Sequence, residues 1–386
     1  MIAARLRPFG TTIFSEMSAL AARTGAINLG QGAPDTDGPA EIMAAVETAL
    51  RSGRANQYAP IAGVRELCAA IAEHQHRRYG LEVDPDDGVQ VTFGATEAIA
   101  ATMLGLLEPG DEVIVVEPFY DAYAASTALA GASRRVVTLR PPEFVLDPHA
   151  LAAVAPGAGM LVLNSPHNPT GRVLTRAELE GVARVCIEHD LIAVTDEVYE
   201  HLVYEGEHIP LATLPGMAER TLTISSAAKS FSFTGWKVGW CSGPPRLVAA
   251  VRAAKQFMSF SGGTPLQVAV AVALADAERH VEPLRTRLRA GRDRLCEGLL
   301  TVGLDVSVPH GGYFVTADIA PLGASDAREW CLALPERAGV VAIPASAFYD
   351  HPEVGRTLVR FSFCKRLEVI DEGIGRLVHA GAAALG

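Results

Sequence analysis

Between residues 89 and 243, short apolar runs alternate with longer stretches of helical spacing. VQVTF (89–93), EVIVVE (112–117), RRVVTL (134–139), GMLVLN (159–164), LIAVTDE (191–197), TLTISS (221–226) and KVGWCSG (237–243) predict strands. Each is nearly all apolar, the pattern of a strand covered on both faces. Helices are expected from Gly94 to near Pro109, from PFYDAY to about residue 130, and over 175–189. Strands separated by helices predict an α/β fold with a mainly parallel sheet.

The flanks read differently. Within residues 1–27, Met17, Leu20 and Ala21 are spaced for one helical face. Helices are predicted over 39–53, ending at Gly53, and over 63–79, with loops at INLGQGAPD (27–35) and NQYAPIAG (56–63). After residue 245 helices follow at 245–259, 264–278 and 281–302. LDVSVP, GYFVTADI, VVAIPASAF and TLVRFSFC then predict a second, smaller sheet, closed by a helix over 367–384. The domain change is expected near 275–285, inside a helical stretch. A large domain over 33–278 and a small one from 1–32 with 279–386 result. No internal repeat or low-complexity segment stands out.

Composition narrows the class. The 386 residues are 49% hydrophobic, enough for a large core. The formal net charge of −11 and the lack of basic runs argue against a nucleic-acid surface. Six scattered cysteines without a CxxC fit a reducing compartment and neither disulfides nor structural zinc. The N-terminus lacks a secretory apolar region, and no apolar run reaches the length of a membrane span. A cytoplasmic protein with no membrane partner is expected.

Motif absences exclude further classes. Gly30-x-Gly32 lacks the third glycine of a dinucleotide fingerprint, and there is no GxxxxGK[ST]. HExxH and GxSxG are missing. His167, His201 and His208 lack metal-ligand spacing and read as loop residues.

The polar residues of interest end the predicted strands: Asn164, Asp196 and the pair Ser225 and Ser226. Ligands of open α/β sheets bind at that rim. In ISSAAKSFSFTGWKVGW (224–240), Lys229 stands among small residues. An apolar setting weakens its preference for charge and makes its amine a nucleophile toward an aldehyde. Ser226 and Lys237 could serve a phosphate. The alternative is a buried strand and glycine turn with two surface lysines. Asn168, in NSPHNPTG, could donate into a strand-end site, or the segment could be a bare turn. Asp196, in TDEVYE, is costly to bury without a partner such as a protonated heterocyclic nitrogen. Tyr199 could reach the same place. An exposed strand end with a helix cap is the plain alternative. Gly94-Ala95-Thr96 opens a helix and offers bare N–H groups to an anion, unless it is an ordinary βα turn. Arg360 alternates with Phe361 and Phe363 in VRFSF. Away from solvent it would need an anion such as a carboxylate, and otherwise its face is solvated.

Together NPTG, DEVY, SSAAK, GWKVGW and the late RF occur in one order over essentially the whole chain. This set resembles the class I/II pyridoxal-phosphate aminotransferases of fold type I. NSPHNPTG, DEVYEHLVY, ISSAAK and VRFSFCKR are similar to the kynurenine/glutamine/methionine-type branch, and closer still to actinobacterial N-succinyldiaminopimelate aminotransferases. The resemblance implies a large domain with a mainly parallel seven-stranded sheet flanked by helices, and a smaller α+β domain. It implies pyridoxal 5′-phosphate as cofactor and ping-pong transfer from an L-amino acid to a 2-oxo acid. It further implies a homodimer with shared sites.

By the same resemblance, Lys229 would hold the cofactor as a Schiff base and shuttle a proton, and Asp196 would pair with the ring nitrogen. Tyr199 and Asn168 would bond the ring oxygen, and Tyr120 would stack on the ring. Ala95, Thr96, Ser226 and Lys237 would hold the phosphate, with Tyr58 reaching a phosphate in the partner subunit. Arg360, near the Gly32 backbone and Asn168, would clamp the substrate carboxylate. Phe14 and, across the dimer, Phe260 would line the side-chain pocket. The family often has a larger aromatic where Thr96 stands and a histidine where Ser261 stands, differences that open the pocket or change its polarity. The same site would also suit a C–S β-lyase. A cofactor-sensing transcription regulator is the alternative of another class, but the chain shows no basic segment for it.

Overall fold

The computed structural model describes residues 2–386. The N-terminal part holds α1 (Ile13–Thr24), the short β1 (Ile27–Asn28), α2 (Ala40–Arg51) and α3 (Arg65–Tyr79). The central part alternates: β2 (Val89–Phe93), α4 (Gly94–Leu106), β3 (Glu112–Glu117), α5 (Asp121–Leu129), β4 (Ser133–Thr138), α6 (Pro148–Val154), β5 (Met160–Asn164), α7 (Arg176–Glu188), β6 (Ile192–Asp196), β7 (Thr221–Ser226), α8 (Ala227–Ser230) and β8 (Val238–Ser242). Three helices follow, α9 (Pro245–Met258), α10 (Thr264–Ala275) and α11 (Ala277–Val302). The C-terminal part is β9 (Asp305–Ser307), β10 (Phe314–Asp318), α12 (Ala327–Ala338), β11 (Val340–Val341), β12 (Ile343–Pro344), β13 (Leu358–Ser362), α13 (Leu367–Ala380) and α14 (Ala382–Leu385).

Seven strands form the large sheet in the order β2-β8-β7-β6-β5-β3-β4. Only β8 runs against its neighbours β2 and β7. Alternate residues of one strand enter different cores. Ile114, Leu161 and Ala193 pack on one face, and Val113, Val115, Val162 and Val194 on the other. Helices therefore cover both sides, which is why these strands are apolar throughout.

The parallel register sets the working edge. Asn164 pairs with Asp196, and Asp196 with Ile224, so β5 and β6 end together and β7 runs two residues further, to Ser226. Antiparallel β8 brings Gly239 opposite Ser226. A Cβ on Gly239 would lie 2.5 Å from the Gly94 carbonyl carbon and 2.7 Å from the Ala95 nitrogen. A bare backbone there lets the first turn of α4 sit against the sheet edge.

The second sheet is antiparallel, ordered β12-β13-β10-β9. Arg360 lies on its interior strand β13, opposite Thr316 and Ile343. Both faces of β13 are buried, so the solvated face considered for Arg360 does not exist.

Several boundaries depart from expectation. VVAIPASAF is not one strand. Val340 and Val341 pair in parallel with Ile27 and Asn28, Ile343 and Pro344 join the second sheet, and Ala345–Phe348 forms a 3-10 turn. Helix α11 starts at Ala277 rather than 281 and runs through Pro283. The C-terminal helix breaks at Gly381, where φ is +73°. Helix α12 has no counterpart among the expected elements. Its signals are an Asp326 carboxylate capping the Arg328 and Glu329 amides at 2.9 and 3.0 Å, and Gly339 in the left-handed region.

Gly239→Ala is expected to destabilise the protein by roughly 2 kcal/mol through overpacking of backbone against backbone. Urea unfolding of wild type and variant measures it. An unchanged midpoint would mean that the β8–α4 contact yields without cost.

Candidate active site

A cavity of about 360 Å³ opens at the shared strand ends, between the large sheet and the β13 side. Its floor is built locally. The Asn164 amide donates to the Asp196 carbonyl at 2.7 Å, and its oxygen accepts from the Asn168 amide N–H at 2.7 Å. One side chain thus joins the ends of β5 and β6 to the NPTG turn. The turn is held from behind by His167, whose Nδ1 meets Thr170 Oγ1 at 2.7 Å. Burial pushes the His167 imidazole down to about 4, so it is a neutral structural group.

Asp196 is buried rather than exposed at the strand end. Its Oδ2 accepts from the Tyr123 hydroxyl at 2.6 Å, and Oδ1 lies 3.4 Å from the Val198 amide. Burial raises its pKa, and the Tyr123 bond works against that rise. A carboxylate so placed favours a nearby cation.

Lys229 stands on the single turn α8, three residues beyond Ser226. Its Nζ donates to the Tyr313 hydroxyl at 2.6 Å, and that hydroxyl donates to the Gly32 carbonyl at 3.0 Å. Tyr199 packs edge-on against Tyr313, ring centroids 5.2 Å apart. Burial lowers the Lys229 pKa from 10.5 to about 8. The amine is thereby brought close to neutrality, as a nucleophile requires.

The same cavity holds an anion cup. Gly94, Ala95 and Thr96 open α4 with its first N–H groups toward the cavity, and Ser226 and Lys237 line the same part. Gly94, at φ +74°, leaves room for the Lys237 ammonium, which would sit 3.2 Å from a Cβ there. Tyr120 forms a wall, edge-on to Tyr123 at 5.9 Å.

Arg360 is 1% exposed. It donates to Asn168 Oδ1 at 3.1 Å and to the Gly30 carbonyl at 2.8 Å, while its Nε has no partner. Phe14, Phe314 and Phe348 surround the guanidinium at 5.2, 3.9 and 5.0 Å. Among the described residues no carboxylate forms an ion pair with it. Burial lowers its pKa to about 10, so it stays charged at neutral pH. An orphan N–H on a buried cation beside a cavity marks a place for an anion.

The cavity therefore gathers Lys229, Asp196, Tyr199, Asn168, Tyr120, Ala95, Thr96, Ser226, Lys237, Arg360, Gly32 and Phe14. It does not gather Tyr58 and Phe260. These are 81% and 45% exposed and pack edge-on against each other, 5.5 Å apart. Ser261 donates to the Ala59 carbonyl at 2.6 Å and is likewise no part of the cavity wall. Sequence reasoning missed Tyr123 and Tyr313. Tyr123 follows Tyr120 by nearly one helical turn, a usable signal, whereas nothing local ties Tyr313 to Lys229.

The whole chain is similar to known proteins. The family model for aminotransferase class I and II matches residues 24–377. The chain belongs to the class I and II aminotransferases. A probable N-succinyldiaminopimelate aminotransferase of Mycobacterium tuberculosis is 52% identical over 389 aligned residues, covering 98% of each chain. The methionine aminotransferase of Escherichia coli is 38% identical and covers 97% of each. The solved structure of N-succinyldiaminopimelate aminotransferase from M. tuberculosis has a TM-score of 0.96 at 53% identity, covering 98% of this chain and 100% of that one. This aminotransferase thus has the fold type I architecture. Its relatives favour amino transfer over the C–S lyase alternative.

Two outcomes follow from the geometry. In the cofactor-free aminotransferase, the Lys229 pKa lies below its unfolded value. Below pH 8 both states are protonated and the burial penalty is fully present. Stability then rises with pH from about 8 toward 10.5. Lys229→Met should therefore stabilise the cofactor-free protein at pH 7, on the order of 2 kcal/mol, with the gain fading by pH about 10. Urea midpoints of the two proteins at both pH values measure this, and a pH-independent difference would contradict it. Arg360→Lys keeps the charge but loses the planar fork, and should cost about 100-fold in kcat/KM for amino donors. A loss under threefold would remove Arg360 from substrate binding.

Proposed function

We propose that this aminotransferase uses pyridoxal 5′-phosphate to move the amino group of an acylated diamino acid, of the N-succinyl-LL-diaminopimelate kind, to 2-oxoglutarate. The observation that carries the reading is the buried, anion-seeking Arg360 facing a cavity that also holds Lys229 and Asp196. The donor is favoured by the relative at 52% identity, ahead of the methionine and kynurenine aminotransferases at 38% and 36%.

The donor set fits the cofactor. Lys237, Ser226, Ala95 and Thr96 would hold its phosphate, with Asp196 at the ring nitrogen and Tyr123 steadying Asp196. Asn168 and Tyr199 would meet the ring oxygen, and Tyr120 would cover the ring face. When bound, the cofactor supplies an electron sink that lets a substrate lose its α-proton. Lys229 Nζ would hold the cofactor and then take and return that proton. Arg360, with Asn168 and the Gly32 backbone, would fix the α-carboxylate, and Phe14 would exclude water beside it.

The site would be completed in a homodimer. Tyr58, Phe257, Met258 and Phe260 are exposed together, at 81%, 87%, 44% and 45%, and a second copy covering them would remove that apolar surface from water. Tyr58 of each chain would then reach the other's phosphate, and Phe260 the other's side-chain pocket. We further assign residues 33–278 to the cofactor-binding domain and 1–32 with 279–386 to a smaller one. A cytoplasmic setting fits six free, buried cysteines.

A donor panel with 2-oxoglutarate as acceptor tests the reading. N-succinyl-LL-diaminopimelate should exceed methionine, glutamine, kynurenine and aromatic donors in kcat/KM by at least about tenfold. A ranking led by another donor overturns the substrate assignment. Lys229→Ala should abolish turnover while circular dichroism still reports a folded chain. Full activity in that variant would exclude Lys229 from the reaction.

A further inference from the structure

Residues 196–201 and 225–230 form the wall that carries Asp196, Tyr199, Ser226 and Lys229. Each of these cavity residues has a direct neighbour in sequence that does not line the cavity. Beside Asp196 is Glu197, whose carboxylate meets His208 at 2.7 Å. Beside Tyr199 is Glu200, beside Ser226 is Ser225, and beside Lys229 is Ser230. The last three are 0–2% exposed, and they belong to two hydrogen-bonded chains that meet where the His74 and Tyr79 rings pack edge-on, 6.0 Å apart.

Glu200 accepts from the Ser225 hydroxyl at 2.6 Å and from the Tyr79 hydroxyl at 2.8 Å. Ser230 Oγ meets His201 Nδ1 at 2.8 Å, and His201 Nε2 meets His74 Nε2 at 2.9 Å. Burial pushes His201 down to about 3 and lowers His74, so the two neutral rings can share one N–H···N bond. Burial works against an ionised Glu200, and the Ser225 hydroxyl favours it.

α8 is a helix of four residues, too short to be stable on its own. Its N-cap, Ser226, makes no side-chain cap bond. The direction of Lys229 therefore depends on what grips the end of the turn, and the polar grip is Ser230 on His201. Behind it, His74 anchors that chain to α3, an element that contributes nothing to the cavity wall, and Tyr79 of the same helix anchors the Glu200–Ser225 chain.

We propose that two adjoining hydrogen-bonded chains form a rear layer for amino transfer, Ser230–His201–His74 positioning Lys229 and Ser225–Glu200–Tyr79 positioning Ser226. They are positioning residues, since none lines the cavity. His74, Glu200 and His201 also bring ligand atoms within 4.8 Å of one another, as a metal site would. Both Glu200 oxygens and His201 Nδ1 are already engaged by hydroxyls, however, and Arg77 and Arg78 share the neighbouring cavity with His74. Hydrogen bonding, not metal binding, accounts for the cluster.

The inference rests on Lys229 as the cofactor-bearing lysine, a reading that Lys229→Ala tests separately. The experiment compares Ser230→Ala and Tyr79→Phe with wild type, all as holoenzymes. Three quantities are read: steady-state kinetics, melting temperature, and the visible circular dichroism of bound pyridoxal phosphate, which reports how the cofactor is oriented. Loosening Lys229 in Ser230→Ala should lower kcat about tenfold, and loosening Ser226 in Tyr79→Phe about threefold, with KM within about twofold. The visible dichroism should shrink in the same order while the melting temperature moves little. Wild-type kcat and dichroism in both variants would overturn the proposal. So would losses that only track a fallen melting temperature. If Ser230→Ala does not fold, His74→Phe tests the same chain from its α3 end, with a loss of kcat and dichroism in the same direction expected. An active Lys229→Ala would sink the lysine reading instead, whatever the network variants do.

Discussion

The in-register parallel pairing of β5, β6 and β7 is the constraint on which the active site depends. Side chains alternate across a strand, so a slip of one residue would send Asp196 to the opposite face and part it from Asn164 and Ser226. Register is held by the two cores on either side of the sheet, each taking every second residue. The hydrophobic pattern that stabilises the sheet is thus also what aligns the chemistry. Antiparallel β8 adds the approach of Gly239 to Gly94, which seats the start of α4 at the same edge.

Around that edge the protein keeps charge in places where burial opposes it. Asp196 is raised, Lys229 lowered to about 8 and Arg360 lowered to about 10, all chiefly by burial. None is neutralised by a direct ion pair. They are met by hydroxyls and carbonyls instead: Tyr123 on Asp196, Tyr313 on Lys229, Gly30 and Asn168 on Arg360. Neutral partners fix geometry without cancelling charge, so the field of each group remains available to a ligand. The neutral His201–His74 pair follows the same rule one layer back.

Where the chain was hard to read, the reason is physical. Helix α12 was overlooked although Asp326 and Gly339 mark its ends, and the strand VVAIPASAF divided because two different sheets compete for it. The helices expected over 264–278 and 281–302 divide earlier, since Asp276 ends one and the next runs through Pro283. Tyr123 was legible in principle, by its spacing from Tyr120. Tyr313 was not, since 84 residues separate it from the lysine it bonds. Tyr58 and Phe260 were legible as residues but do not line the site cavity of their own chain.

The sequence by itself determined the α/β pattern, the strand ends that carry polar groups, and the ordered motifs that mark an aminotransferase. Those are local properties, written in short apolar runs and in residues a few positions apart. Tertiary structure decided which plain readings failed. Asp196 is not an exposed cap, Lys229 is half-buried in the cavity wall, and the Arg360 face is not solvated. Burial is a property of what packs on a residue from elsewhere in the chain. The second sheet and α1 cover Arg360, and α3 anchors the layer behind Lys229. Long-range packing, not local pattern, converts these charged residues into a site.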